Sequence, residues 1–137
     1  MLENAEFLAM GVVVYRNAFK DSAEYIQRIE SALGSEENTK YGWKPGYTGY
    51  GAKNLNYRDC VDFKFKKTDI EHDTSEASKN LQSLWQDLYD AKLPAVEDYS
   101  RMHNINNLQY WEAFNFIKYG SGQHFMEHHD HGFSYNC

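Results

Sequence analysis

Tyr119-Gly120-Ser121-Gly122-Gln123-His124-Phe125-Met126-Glu127-His128-His129-Asp130 is the stretch around which the chain is organised. In an extended segment successive side chains alternate sides, so His128 and Asp130 point to one face and His129 to the other. An imidazole and a carboxylate then converge. Two such residues supply two legs of the two-His-one-carboxylate facial triad, which holds Fe(II) and leaves positions open for a cosubstrate and O2. The third leg has to come from elsewhere. A His-x-Asp tripeptide by itself is more often a hydrogen-bonded surface pair than a metal site, so its surroundings decide.

Upstream lies an aromatic-rich run, Tyr110-Trp111-Glu112-Ala113-Phe114-Asn115-Phe116-Ile117-Lys118-Tyr119, which leads into a glycine-flanked turn and then into the ligand-bearing strand. This segment resembles the prolyl 4-hydroxylase-like 2-oxoglutarate/Fe(II) oxygenases, whose first core strand ends in a Tyr-x-x-Gly-Gln turn before an aromatic, two spacers and His-x-Asp. Tyr119, Gly122, Gln123, Phe125, His128 and Asp130 fall on those positions. The resemblance implies that His128 and Asp130 are iron ligands. It implies that Tyr119 and Gln123 are cofactor-binding, the first hydrogen-bonding near 2-oxoglutarate and the second supporting the turn. It also implies Fe(II) as cofactor, 2-oxoglutarate and O2 as cosubstrates and ascorbate as a candidate addition. The reaction would be hydroxylation of an unactivated C–H bond on a protein, peptide or small molecule, a prolyl residue being one candidate target.

Composition bounds the rest. The 137 residues suffice for one domain with a modest core, and a hydrophobic content of 42% is ordinary for a folded protein. Fourteen Lys and Arg against twenty Asp and Glu leave a net charge of -6, which works against tracking a phosphate backbone and argues against a nucleic-acid partner. Eleven Tyr, eight Phe and three Trp favour strands and a packed cleft, because these rings supply large buried areas. Cys60 and Cys137 are too few for a disulfide framework. The acidic start, Met1 to Glu6, is unlike a signal peptide, and no apolar run approaches a membrane span. A cytoplasmic protein with no membrane partner is the expectation.

Local patterns predict the elements. Met10 to Tyr15 reads as a strand, followed by a break at Asn17 and a helix opened by an Asp21-Ser22-Ala23-Glu24 capping box. Ile26, Ile29 and Leu33 keep helical spacing up to Gly34, a candidate C-cap. Residues 35–56 predict a long loop whose aromatics, Tyr41, Trp43, Tyr47 and Tyr50, are better placed to cap the core than to hold substrate. Arg58 to Phe65 alternates as a strand, with Cys60 and Asp62 on one face and Val61, Phe63 and Phe65 on the other. Asp73-Thr74-Ser75-Glu76 predicts a second capping box, before a helix with an apolar stripe of Ala77, Leu81, Leu84, Trp85 and Leu88. Pro94 is expected to end or sharply kink that helix, with Ala95 to His103 forming another that turns Val96 and Tyr99 inward.

Leu108 to Tyr119 and Gln123 to His131 predict strands, the first apolar on both faces as if buried on both, and a third run starts at Phe133. The expected fold is therefore α+β, with flanking helices packed on the first strands of a double-stranded β-helix, a cupin-like jelly roll. Residues 1–107 form the supporting strand, helices and aromatic loop, and residues 108–137 start the core within the same domain. A jelly roll needs about eight strands. In the resembling family the distal His ligand and the basic partner of the 2-oxoglutarate carboxylate lie well downstream of His-x-Asp, so the chain reads as an apparently truncated N-terminal portion, inactive as it stands. The other histidines are poor third ligands. His72 and His103 lie near helix ends, His124 sits about 13 Å along the strand from His128, and His129 with His131 makes a competing pair on the opposite face. Two rivals stand beside the oxygenase: a non-catalytic interaction protein or degenerate fragment with an incomplete metal site, and, more weakly, a zinc hydrolase, which would need three converging protein ligands.

Overall fold

The computed structural model describes residues 1–34, 40–47, 53–108 and 111–128. At the start, β1 (Ala5–Ala9) and β2 (Val12–Tyr15) pair as an antiparallel hairpin. The run from Met10 thus divides, because Gly11 at φ 74° makes the turn in a conformation that costs glycine little. Ala5–Ala9, whose pattern did not stand out alone, becomes a strand through that pairing.

Helix α1 (Ser22–Leu33) follows, but without its predicted capping box. Asp21 sits in the left-handed region at φ 57°, and its side chain makes no capping hydrogen bond. Its carbonyl instead accepts the Glu24 N–H at 2.9 Å. At the other end the Gly34 N–H donates to Glu30 O at 2.8 Å, and a Cβ there would come within 2.7 Å of that same oxygen. Of the predicted stripe, Leu33 is buried and Ile29 packs on the core, while Ile26 remains exposed.

Next come β3 (Lys44–Pro45), β4 (Val61–Phe65), the short helix α2 (Lys67–Ile70), the long helix α3 (Glu76–Met102) and β5 (Phe114–Lys118). β4 is the middle strand of an antiparallel β3-β4-β5 sheet, with Phe63 opposite Phe116 and Phe65 opposite Phe114. Pro45 sits on the edge strand, where its missing N–H interrupts no central ladder. Phe63 and Phe65 turn inward and bury with Leu33, Tyr41, Ile70 and Leu81, and Trp43, Trp85 and Phe116 pack around them. Tyr41 and Trp43 therefore cap the core as their loop predicted. Tyr47 is exposed, and Tyr50 lies outside the described residues.

The predicted stripe of α3 is the face that seals this core, Leu81 and Leu84 being 0% and 1% exposed. Its cap is shifted from the predicted place. Ser75 caps, accepting the Ser78 N–H at 3.2 Å, while Asp73 stays outside the helix. There it accepts Tyr41 Oη–H at 2.6 Å, Lys40 Nζ–H at 2.9 Å and the Ser75 N–H at 2.9 Å. The predicted break at Pro94 does not occur. α3 runs through it as one helix of 27 residues, although proline offers no N–H to the carbonyl four residues back. Tertiary bonds hold the far half: Tyr99 Oη donates to Gly11 O at 2.7 Å, and Tyr15 Oη donates to the buried Asp98 at 3.1 Å. Val96 and Tyr99, expected to face inward, are half-buried.

The expected strand over Leu108 to Tyr119 shortens to Phe114–Lys118, and it is not buried on both faces. Phe114 and Phe116 are half-buried against Trp85 and Phe65, whereas Asn115 and Ile117 are exposed. The three helices contribute Leu33, Ile70 and Leu81 to the sheet face that carries Phe63 and Phe65. The predicted mixed α+β class holds, with two small antiparallel sheets and no barrel among the described residues. No helix among them is long and apolar enough to cross a membrane.

The bonds from Tyr41, then Lys40, then Ser75 hold the Asp73 carboxyl well below its ordinary value. A depressed carboxyl contributes stability that is complete above its unfolded pKa of about 3.9 and is lost as pH falls through the folded value. Asp73→Asn should therefore lower Tm at neutral pH and flatten the loss of stability below about pH 4. Thermal melts from pH 7 down to pH 2 check this, and parallel curves for the two proteins would contradict it.

Candidate metal and cosubstrate site

The alternation that sends Phe63 and Phe65 into the core sends Cys60 and Asp62 to the opposite face of β4, beside Arg58. Arg58 is the hub there, its side chain only 11% exposed. Nε donates to Cys60 Sγ at 3.2 Å, Nη1 to Tyr47 O at 2.8 Å and Nη2 to Asp62 Oδ2 at 2.9 Å, while the guanidinium carbon lies 4.9 Å from the Phe125 ring centroid. A largely desolvated cation needs this set of partners. Gly46 makes room for it, since a Cβ there would stand 2.6 Å from Cys60 Sγ and 3.0 Å from Arg58 Nε.

Tyr119, directly after β5, brings its hydroxyl to the same cluster. Burial raises its pKa first and the neighbouring Cys60 second, with Arg58 opposing. The phenol is thus a protonated donor at neutral pH. Tyr119 also borders a groove between α1 and β5 that Ile29, Trp43 and Ile117 line.

The turn after Tyr119 is braced by Gln123. Its N–H donates to Gly120 O at 3.1 Å, its Oε1 accepts the Gly120 N–H at 2.6 Å, and its Nε2 donates to Asp59 Oδ1 at 3.0 Å. Gly122 takes φ 79°, the conformation glycine supplies in such a turn. Beyond it the backbone pairs with the approach to β4: Asp59 N–H to His124 O and Met126 N–H to Tyr57 O, both 2.8 Å, with Phe125 bridged to Arg58.

This is where the predicted strand from Gln123 to His131 departs from the structure. Among its described residues only the Phe125 bridge is strand-like, and the chain then bends at Glu127, while His129, Asp130 and His131 lie outside the described residues. His128 folds back so that its ring stacks on Phe125, 3.8 Å between centroids at 22°, and its Nδ1 lies 2.8 Å from Met126 O. Stacking across three residues is incompatible with simple alternation, in which those side chains would oppose each other. The ring contacts outweigh the extended geometry. His124 is held elsewhere, its Nε2 donating to Asn56 O at 3.0 Å. His103 stacks on Tyr99 at 4.3 Å, and His72 is exposed.

A carbonyl can only accept, so the His128 ring donates its Nδ1–H to Met126 O. A metal-ligating histidine held by a carbonyl has this form, and His128 fits such a role. Asp130, His129 and His131 lie outside the described residues, so the convergence expected of His128 and Asp130 falls there too. Among the described residues no group of three His, Cys, Asp or Glu side chains converges. Tyr119 and Gln123 do meet one network, through Arg58 and Asp59. The sequence signal for the Arg58 cluster is the Arg58-x-Cys60-x-Asp62 spacing, which places all three side chains on one face of an extended segment. No family model, curated protein or solved structure matches the chain.

Gln123→Ala removes the acceptor of the Gly120 amide and the tie to Asp59. The expected result is faster hydrogen exchange at the Gly120 amide, with a stability loss of about 0.5–1.5 kcal/mol for each hydrogen bond removed. Unchanged protection at that amide would contradict the bracing role.

Proposed function

We propose that the chain is the N-terminal part of a 2-oxoglutarate/Fe(II)-dependent dioxygenase that hydroxylates an unactivated C–H bond on a protein, peptide or small molecule. The observation that carries this is the bond from His128 Nδ1–H to Met126 O at 2.8 Å, at the end of the braced Tyr-x-x-Gly-Gln turn, which is the bond a metal-ligating histidine makes through its other ring nitrogen. His128 and Asp130 are then two of the iron ligands, and the third, with the basic anchor for 2-oxoglutarate, comes from outside these residues. Bound iron with 2-oxoglutarate supplies the O2 activation that a strong C–H bond requires. Tyr119, protonated at neutral pH, donates a hydrogen bond toward the cosubstrate, and Gln123 holds the turn that presents it. In this reading β5 is the first strand of a jelly roll, and its exposed Ile117 belongs to a face that a second sheet covers.

An interaction protein is the second reading. The hairpin favours it, with Phe7 56%, Leu8 54% and Met10 98% exposed. Such a surface suits a partner without requiring chemistry.

Protein expressed from the complete reading frame should form succinate from 2-oxoglutarate only when Fe(II) is supplied. His128→Ala and Asp130→Ala should each reduce turnover by more than about 100-fold, beyond what loss of an outer partner costs. Iron affinity should fall in acid, because the imidazole and carboxylate must both be deprotonated to bind. A frame that stops at Cys137, or turnover indifferent to His128, would sink the oxygenase reading and leave the interaction protein.

A further inference from the structure

His128 stands at the end of a chain of fixed groups. Its ring lies on Phe125, and Tyr57 meets both rings edge-on, 5.7 Å from Phe125 and 6.5 Å from His128 between centroids. Phe125 has little freedom of its own. Its backbone bridges Arg58, and the flanking bonds from Asp59 N–H to His124 O and from Met126 N–H to Tyr57 O close the pairing on both sides. Arg58, which packs over the Phe125 ring, is in turn fixed by Tyr47, Cys60 and Asp62.

Two of its contacts orient the imidazole. Stacking at 22° sets the plane of the ring, and the 2.8 Å bond from Nδ1 to Met126 O sets its rotation within that plane. Free histidine prefers its proton on Nε2, so an Nδ1-protonated ring has to be imposed by its surroundings. Offset aromatic stacking is directional, which an aliphatic side chain of similar volume cannot reproduce.

We propose that Phe125 is a positioning residue that locks His128 in the Nδ1-protonated tautomer and aims Nε2 as its metal-ligating nitrogen, with Arg58 and Tyr57 holding Phe125 in place. The metal half of this rests on the proposed iron role of His128; the tautomer half does not. Phe125 acts through the ring beside it.

Long-range 1H–15N correlation spectra of the metal-free chain, recorded above the pH range of histidine titration, read the tautomer directly, with the His128 signals assigned by their loss in His128→Gln. Wild type and Phe125→Tyr should carry the proton on Nδ1, and Phe125→Leu should move it largely to Nε2. In parallel, Co(II) titrated into the same samples should bind about tenfold or more weakly to Phe125→Leu, with affinity restored in Phe125→Tyr. A wild-type His128 protonated on Nε2 would overturn the proposal whether or not any variant folds. So would a Phe125→Leu protein with unchanged tautomer and unchanged Co(II) affinity. If the tautomer responds as stated while His128→Gln leaves Co(II) binding untouched, positioning of the ring by Phe125 stands and the iron-ligand reading of His128 falls.

Discussion

The two-residue alternation of β4 is the constraint on which the other contacts depend. Phe63 and Phe65 on one side meet Leu81 of α3, Leu33 of α1 and Ile70 of α2, and so bring three helices to one sheet face. Burying a side chain of this size contributes roughly 1.5–3 kcal/mol. On the opposite side of the same strand Cys60 and Asp62 receive Arg58. A slip of one residue in the pairing of β4 with β5 would exchange the two sets and strand the guanidinium in the core. The register that packs the core is thus the register that builds the candidate site.

On the site face electrostatics replaces packing. Arg58 is held by the Cys60 sulfur and the Asp62 carboxylate of its own stretch, by the Tyr47 carbonyl and by the Phe125 ring, so three stretches of chain meet on it. A desolvated cation with one partner would be a liability, because removing charge from water costs several kcal/mol per ion. With several partners it becomes a fixed point. The turn that follows Tyr119 and the segment leading to His128 both reach that point, the first through Gln123 and Asp59 and the second through Phe125.

Much of this was legible in the sequence where one local signal acted alone. The stripe from Ala77 to Leu88 announced the buried face of α3, and alternation from Cys60 to Phe65 announced both faces of β4. The glycines and Gln123 announced a turn after Tyr119. What was not legible depended on tertiary partners. Asp73 looked like a cap until Tyr41 and Lys40 claimed its carboxylate, which left Ser75 to cap α3. Pro94 looked like a helix end, yet the hairpin holds the far half of α3 in line. Gln123 to His128 looked extended, but stacking of His128 on Phe125 bends it. The hairpin strand β1 has no periodicity of its own and exists because β2 pairs with it.

The most direct measurement is anomalous diffraction from crystals of the chain grown with Co(II). We expect a peak bound to His128 Nε2 and to a carboxylate oxygen of Asp130, with His128 Nδ1 still on the Met126 carbonyl. A peak held by His129 and His131, with His128 uninvolved, would contradict the placement of the metal on this face of the chain.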